Sequence, residues 1–365
     1  MTHTTYFWRD IMIQIISFGL IVGLLLGFVL QRGRFCVVGA YRDLLLARDG
    51  HMFLATMIVI AIQAVGVYAL AASGVITIQA DAFPWVGTIV GGFIFGIGMV
   101  LAGGCATGTW YRAGEGLIGS WIALFMYALS AAMTKFGILS TFGNDVLSYR
   151  TSDTYIHETF GLSPWVLVIA FGLLISALVI RSLRKPKLPT FSMKPKKTGL
   201  AHILFEKRWH PFVTALLVGL IAILAWPLSE ATGRMAGLGI TTPTAQLLTF
   251  FVNGDTSLLN WGVFLVLGVG IGSYIAARGS GEFKWRLPDK KTLGFNTSGG
   301  LLMGFGASLA GGCTIGNGLV NTALFTWQGW VAVIFFLLGT WTATYFTIIR
   351  KQKRQRAGSG ATSAA

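Results

Sequence analysis

The sequence predicts an all-α polytopic membrane protein with about nine transmembrane helices and four re-entrant loops, arranged as an hourglass-like inverted internal repeat. Three observations support this prediction. The 365 residues are 54% hydrophobic and only 11% charged, whereas soluble domains carry roughly 25% charged residues. Apolar runs long enough to cross a bilayer recur along the chain. All three cysteines occupy the same position of one glycine-containing pattern.

The transmembrane helices are predicted from apolar segments of about 20 residues, the length that a bilayer requires. Nine segments qualify: 11–30, 52–73, 86–104, 117–135, 162–180, 211–229, 260–278, 293–310 and 330–349. The eighth is short and rich in glycine. With an odd number of spans, the two ends of the chain are expected on opposite sides of the membrane.

The basic residues predict which side is which. With the N-terminus periplasmic and the C-terminus cytoplasmic, the cytoplasmic segments hold 24 of the 28 Lys and Arg residues, as the positive-inside rule requires. The four exceptions are Arg9, Lys135, Arg150 and Arg234. The net charge of +15 is therefore explained by orientation in a membrane and by contact with anionic membrane lipid. No nucleic-acid partner is predicted.

The repeat is carried by the pattern Gly-x3-Gly-x8-Cys-x2-Gly. It occurs three times, with its cysteine at Cys36, Cys105 and Cys313, and a fourth, degenerate copy has Ala236 at that position. Cys36 matches Ala236 at an offset of 200 residues, and Cys105 matches Cys313 at an offset of 208. Spans one to four thus correspond to spans six to nine. Because five spans separate matching elements, the two halves are expected to face opposite sides, as in many transporters.

This repeat divides the chain into four predicted parts. Residues 1–136 form the first repeat, with spans one to four and the loops of Cys36 and Cys105. Residues 137–210 contain a periplasmic loop, the connecting fifth span and a basic cytoplasmic loop. Residues 211–349 form the second repeat, with spans six to nine and the Cys313 loop. Residues 350–365 form a basic cytoplasmic tail.

The cysteine segments predict re-entrant loops. Consecutive glycines end a helix and permit backbone angles that other residues avoid. Irregular backbone at membrane depth is tolerated only where it is buried in protein or lines a cavity. Four such loops, two from each face, are expected to meet near the middle of the membrane. An isolated cysteine there is usually a small packing residue, but three cysteines sharing one position of a repeat favour a functional role.

The residues by themselves leave two kinds of solute open. Thiolates select Cu(I), and a soft sulfur-containing anion such as thiosulfate could accept hydrogen bonds from thiols and from backbone N–H groups at half-helix N-termini. The middles of the predicted spans hold no Asp, Glu or His, so a proton-coupled pump is not indicated. There is no CxxC motif and no Walker A motif, which argues against thiol oxidoreductase chemistry and ATP hydrolysis.

The segments "QRGRFCVVGAYRD", "VLAGGCATGTWYRAGEGLIGSWIAL" and "GFGASLAGGCTIGNGL" resemble the YeeE/YedE family of bacterial inner-membrane proteins, and most closely its thiosulfate-uptake branch. The resemblance covers nearly the whole chain. It implies a transporter, not an enzyme, that imports thiosulfate for sulfur assimilation along a relay of cysteines. It also implies a separate small soluble sulfur-carrier protein, similar to YeeD, as a cytoplasmic partner. No cofactor and no bound metal are implied.

The substrate-binding residues expected from the repeat and the resemblance are Cys36, Cys105, Cys313, Gly104, Gly312, Arg34, Thr107 and Thr314. Two alternatives remain at this point. One branch of the family is associated with selenium compounds, so another soft sulfur or selenium species is possible as the solute. A membrane-embedded sulfurtransferase that forms a cysteine persulfide would use the same residues.

Overall fold

The computed structural model describes residues 2–184, 199–207, 209–352 and 355, and their side chains from residue 13 onward with the exception of residue 200. The described chain is almost entirely helical. Its α-helices are α1 (Thr2–Gly33), α2 (Val37–Leu46), α3 (His51–Ala72), α4 (Trp85–Leu101), α5 (Ala106–Gly114), α6 (Ile118–Lys135), α7 (Ser140–Ser148), α8 (Ile156–Thr159), α9 (Pro164–Leu183), α10 (Gly199–Ala201), α11 (Pro211–Glu230), α12 (Thr241–Asn253), α13 (Trp261–Ser280), α14 (Lys290–Leu309) and α15 (Trp327–Thr344).

Several shorter elements complete the fold. The described residues contain three π-helical turns, His202–Glu206, Gly316–Asn321 and Tyr345–Ile349, and one 3-10 turn, Thr256–Leu258. They also contain two antiparallel strands, β1 (Phe83–Pro84) and β2 (Arg150–Thr151). The predicted loop after span four thus contains α7, β2 and α8. The basic cytoplasmic loop lies largely outside the described residues, as do residues 356–365 of the tail.

The prediction of an all-α polytopic membrane protein is confirmed. Eight helical segments of the described chain are long and apolar enough to cross a membrane: Ile13–Leu46, His51–Ala72, Trp85–Gly114, Ile118–Lys135, Pro164–Leu183, Pro211–Glu230, Trp261–Ser280 and Trp327–Gln352. The predicted count was nine. The missing segment is 293–310, which forms α14, 20 residues long, but is not apolar enough to qualify.

The low hydropathy of α14 follows from its position in the bundle. The helix packs against both α4 and α6, and its glycines lie directly on those neighbours. A β-carbon at Gly300 or Gly304 would overlap the backbone of α6, and one at Gly299 would overlap the backbone at the end of α4. Close approach of backbones favours small residues over large apolar ones. Glycines at these contacts take the place of larger apolar residues and lower the hydropathy of the helix, although its Leu301 remains exposed.

The Gly-x3-Gly pairs of the repeat have the close-packing role that their spacing predicts. A β-carbon at Gly23 or Gly27 of α1 would overlap carbonyl oxygens of α13, and one at Gly96 of α4 would overlap the Phe336 carbonyl oxygen of α15. The same contacts give the directions of the helices. Gly87 of α4 lies against Leu309 of α14, whereas Gly98 lies against Met303 and Gly299, so α4 and α14 run antiparallel.

The packing partners exchange between the two halves of the chain. The sequence offsets match α1, α2, α3, α4, α5 and α6 with α11, α12, α13, α14, the 316–321 turn and α15. With this matching, four contacts between the halves each have a counterpart. The matched pairs are α1–α13 with α11–α3, α4–α15 with α14–α6, α2–α15 with α12–α6, and α5–α13 with the 316–321 turn on α3. This exchange is the pattern that an internal repeat produces.

Four transmembrane segments are broken where the repeat pattern predicts loops. The breaks fall between α1 and α2, between α4 and α5, between α11 and α12, and between α14 and the 316–321 turn. The pieces after the breaks are 10, 9, 13 and 6 residues long, too short to cross a hydrocarbon core of about 30 Å. Each break places irregular backbone inside the helical bundle.

Candidate functional site

Two of the three cysteines cap short helices in the same way. Cys36 is the residue before α2, and its sulfur accepts a hydrogen bond from the Gly39 N–H at 3.4 Å. Cys105 is the residue before α5, and its sulfur accepts a hydrogen bond from the Gly108 N–H at 3.4 Å. This contact explains the Cys-x2-Gly spacing, because the third residue of a helix presents a free N–H to the capping side chain.

The pentapeptide LAGGC forms the same turn at both of its positions. The first glycine of each pair adopts a left-handed conformation, with φ of 74° at Gly103 and 73° at Gly311. A residue with a side chain rarely adopts this conformation, which costs roughly 1–2 kcal/mol. The turn ends the preceding helix and places Cys105 and Cys313 directly after the second glycine of each pair.

The Cys313 loop is held by an amide network that sequence reasoning missed. The Asn317 side-chain amide donates to the carbonyl oxygens of Ala310, at 2.7 Å, and Gly312, at 3.2 Å. The Gln328 amide also donates to the Ala310 oxygen, at 3.0 Å. Asn321 donates to the Asn317 side-chain oxygen at 2.8 Å. The only signal in the sequence was the presence of amide side chains in an otherwise apolar "CTIGNGLVN" segment.

Two cavities lie at opposite ends of α15. The larger, of about 640 Å³, includes Cys313, Gly312, Arg234 and Gln328 in its lining. The smaller, of about 180 Å³, includes Cys36, Arg112 and Thr347. Gln328 lies at the start of α15, and Thr347 lies 19 residues later in the π-helical turn that follows it. This separation corresponds to roughly 28 Å of helix, close to the thickness of a hydrocarbon core.

Cys105 lies in the protein between these cavities and lines neither of them. It is 3% exposed, and it is close enough to both Cys36 and Cys313 to interact with them electrostatically. The structure therefore brings the three cysteines into one series. Cys313 contacts the larger cavity, Cys105 is enclosed, and Cys36, which is half-buried, contacts the smaller cavity.

The predicted threonines lie beside the cysteines and have unused hydrogen-bonding capacity. Thr107 is 3% exposed and Thr314 is fully buried, and neither hydroxyl has a hydrogen-bond partner in the described chain. Buried hydroxyls are normally paired. Gly104 and Gly312 contribute backbone at the same breaks. A β-carbon at Gly312 would come within 3.2 Å of the Asn317 side-chain oxygen, so a larger residue would disturb the loop.

Arg34 does not lie with the cysteines. It adopts a positive φ of 47°, lines neither cavity, and forms an ion pair with Glu282 at 3.1 Å. Arg32 pairs with the same carboxylate at 3.5 Å. Although burial raises the pKa of Glu282, the hydrogen bonds from Arg34 and Gln31 lower it overall. Arg34 therefore anchors the end of α1 to the segment after α13.

The arginine at the cysteines is Arg112, which was not among the predicted substrate-binding residues. Its guanidinium donates to the Gly103 carbonyl oxygen and to the Cys36 sulfur, the latter at 3.8 Å. It links the turn before Cys105 to the cysteine of the smaller cavity. The smaller cavity includes a second arginine, Arg42, and no acidic residue. This arrangement can hold an anion beside Cys36.

The three cysteines do not form a metal centre. Among the residues that the structure describes, no group of three His, Cys, Asp or Glu side chains is arranged to hold a metal ion. Shared thiolate ligation of Cu(I) would require the sulfurs to converge on one point. Their arrangement in series is suited instead to successive contacts with one solute.

The fold defines a multi-pass helical membrane protein whose broken helices carry thiol and small polar groups at the breaks. A family profile described as "Sulphur transport" matches residues 32–342. The chain therefore belongs to the sulphur transport family, and the predicted YeeE/YedE resemblance is confirmed.

Three relatives illustrate the family. The chain is 56% identical over 350 residues to "Thiosulfate transporter TsuA" of Escherichia coli (strain K12), with 96% of this chain and 99% of the relative aligned. It is 37% identical to "Thiosulfate transporter TsuA" of Spirochaeta thermophila, over 91% of this chain and 99% of the relative. It is 33% identical to "Probable transporter YedE" of Salmonella typhimurium, over 35% of each chain.

Proposed function

We propose that this protein imports thiosulfate across the bacterial inner membrane for sulfur assimilation, by passing it along Cys313, Cys105 and Cys36. Two full-length relatives are named thiosulfate transporters. The observation that carries the relay is the series of cysteines, with one at each cavity and one enclosed between them. A solute leaving the larger cavity meets Cys105 before it reaches the smaller one.

The chemistry of the pathway suits a divalent oxyanion with one soft atom. The orphan hydroxyls of Thr107 and Thr314 supply hydrogen bonds for oxygens, and the thiols supply weak S–H donors for the terminal sulfur. The starts of α2 and α5 direct backbone N–H groups toward the cysteines, and helix N-termini favour negative charge. Thiols must remain protonated here, because a thiolate would repel the dianion.

Arg112 is proposed to attract the solute to the Cys36 end of the relay. Its guanidinium lies beside the Cys36 sulfur, and the smaller cavity contains no carboxylate that would neutralise it. A fixed cation in a poorly hydrated site stabilises an anion more than an exposed one does. The contact also ties the position of Cys36 to the turn before Cys105 through the Gly103 carbonyl.

The two halves are proposed to form an inverted repeat, with the N-terminus periplasmic and the C-terminus cytoplasmic. The exchange of packing partners and the antiparallel course of α4 and α14 support the inversion, since these two helices are repeat equivalents. The larger cavity then opens to the periplasm and the smaller to the cytoplasm. A small soluble sulfur-carrier protein, similar to YeeD, would receive the solute near Cys36.

Uptake of radiolabelled thiosulfate by cells carrying single alanine variants tests the relay. Cys36→Ala, Cys105→Ala and Cys313→Ala are each expected to lose most of the uptake, because each step offers one thiol and no substitute. Gly172→Ala on α9 is the matched control, since a β-carbon there meets no atom within 4 Å. Normal uptake by all three cysteine variants would make the cysteines packing residues and the relay wrong.

A membrane-embedded sulfurtransferase is the second candidate, and the Arg112–Cys36 contact is what favours it. A cation beside a thiol favours the thiolate. The Cys36 thiolate would attack the outer sulfur of thiosulfate, forming a cysteine persulfide and releasing sulfite. Mass spectrometry of purified protein after exposure to thiosulfate distinguishes the two. A gain of one sulfur on Cys36 supports the transferase, and an unmodified cysteine with intact uptake supports the relay.

A further inference from the structure

A third cavity contains a lysine that neither the relay nor the orientation explains. Lys135 is the last residue of α6 and one of four basic residues that fall outside the cytoplasmic segments. It lines a cavity of about 170 Å³ together with Asn144, Thr242 and Ser308. No acidic side chain contributes to the lining of this cavity.

The cavity contains hydrogen-bond donors without acceptors. The Ser308 hydroxyl is buried, with its residue only 2% exposed, and has no hydrogen-bond partner in the described chain. Lys135 is half-buried, and no described acidic residue forms an ion pair with it. An ammonium group partly removed from water without a counter-charge is costly. An anion from solution would offset that cost and accept a hydrogen bond from the serine.

The position of the cavity connects it to the start of the relay. Thr242 lines both this cavity and the larger cavity that contains Cys313. Ser308 lies near the end of α14, five residues before Cys313 in the chain. An anion held by Lys135 and Ser308 would therefore lie next to the space from which the relay draws its solute.

We propose that Lys135, Ser308 and Thr242 form a capture site for a divalent oxyanion, beside the larger cavity and distinct from the cysteine pathway. The link to transport rests on the proposed function. The site contacts oxygen through an ammonium and hydroxyl groups, which are hard donors. It therefore recognises charge and oxygen, and it binds sulfate about as well as thiosulfate. Selection for the soft sulfur atom is left to the cysteines.

The test is equilibrium binding of radiolabelled thiosulfate to purified full-length protein in which all three cysteines are alanine. Binding is expected to persist in this background, to weaken with added salt, and to be displaced by sulfate. Adding Lys135→Gln should lower the affinity at least tenfold, and Lys135→Arg should retain most of it. Ser308→Ala should cause a smaller loss of about threefold, because it removes one neutral donor.

Lys290→Gln is the matched control. Lys290 is an exposed lysine at the first residue of α14, so the variant makes the same change of net charge away from the cavity and should bind normally. If Lys135→Gln is unstable, Ser308→Ala and the charge-conserving Lys135→Arg still test the site.

Three results would overturn the proposal: no thiosulfate binding in the cysteine-free background, equal binding with Lys135→Gln, or binding that sulfate does not displace. If Lys135 only extends to the membrane surface and interacts with the end of α6, the Lys135→Gln protein should bind thiosulfate equally well. These outcomes do not depend on the relay, which is tested by uptake in single cysteine variants with Lys135 intact.

Discussion

The two LAGGC segments share five residues and one turn, yet their cysteines lie in different surroundings. After Cys105 the chain continues as an α-helix, and the Gly108 N–H binds the sulfur. After Cys313 it forms the π-helical turn Gly316–Asn321, and the Asn317 amide binds the carbonyls of the turn instead. Both cysteines are buried, with Cys105 3% and Cys313 1% exposed, but only Cys313 borders a cavity of about 640 Å³.

The difference teaches that the pentapeptide determines the break, while the following residues determine whether a cavity forms beside the cysteine. The two glycines produce the same left-handed turn in both places. The segment "ATGTW" begins an α-helix, and the Gly108 N–H of that helix binds the Cys105 sulfur. In the segment "TIGNG", the Asn317 side chain supports the turn instead, and Cys313 borders a cavity. In the proposed relay, this is why equivalent cysteines perform different steps.

The largest effect is expected from alanine at the first glycine of each pair. Both Gly103→Ala and Gly311→Ala strain the left-handed turn by about 1–2 kcal/mol. At Gly311 the new β-carbon would also lie 2.5 Å from the Gln328 amide nitrogen, whereas at Gly103 the nearest atom is 4.0 Å away. Gly311→Ala should therefore abolish uptake and lower the amount of folded protein, and Gly103→Ala should do so less.

Uptake and membrane abundance of the two variants, with Gly172→Ala as control, measure this difference. Equal damage at the two positions would show that the shared turn alone matters and that the Gln328 contact has no separate role.

The next effect distinguishes the side chains that hold each turn. Asn317→Ala leaves two buried carbonyl groups with fewer partners, at a cost of about 1–3 kcal/mol, so Tm should fall by several degrees. Arg112→Gln keeps an amide donor but removes the charge beside Cys36, so uptake should fall about tenfold with little change in Tm. Thermal unfolding and thiosulfate uptake of both variants provide the two readouts. A loss of stability without loss of uptake in Arg112→Gln would contradict its proposed role.

The third prediction concerns thiol reactivity in single-cysteine proteins. Cys36 is half-buried at the smaller cavity, Cys313 lines the larger one, and Cys105 lines neither. A small neutral methanethiosulfonate reagent should therefore modify Cys36 fastest and Cys105 slowest. Mass spectrometry over time gives the rates. A Cys105 rate as fast as that of Cys313 would mean that the enclosed position opens readily and that access does not separate the two segments.

The smallest effect on stability is expected from Arg34, which lies between α1 and α2. The side chains of Arg34 and Glu282 are 53% and 35% exposed, so their pair contributes under about 1 kcal/mol. Because the pKa of Glu282 is lowered in the folded protein, the pair stabilises above the ordinary carboxyl pKa, and this stabilisation is lost as pH falls through the lowered value. Arg34→Gln, which leaves Glu282 paired with Arg32, should reduce Tm slightly at pH 7 and have no effect well below pH 4. A difference that grows as pH falls would reverse the assigned sign.

The sequence determined the class of protein and the positions of its breaks. Long apolar runs require helices in a bilayer, because unpaired backbone groups cannot be exposed to lipid. The Gly-x3-Gly pairs and LAGGC segments located the close helix contacts and the left-handed turns, since these depend on local residue type. The spacing of Cys36, Cys105, Ala236 and Cys313 also predicts two matched halves, and the exchange of packing partners supports that prediction.

Only the tertiary structure decided which side chains meet. Arg112 reaches Cys36 across 76 residues of sequence, and Arg34 is held by Glu282 rather than by the cysteines. The glycines of α14 allow its backbone to lie directly against α4 and α6. Such partnerships depend on how helices that are distant in sequence lie against one another. Hydropathy and motif spacing predict only the local structure of each segment, and not its partners in the fold.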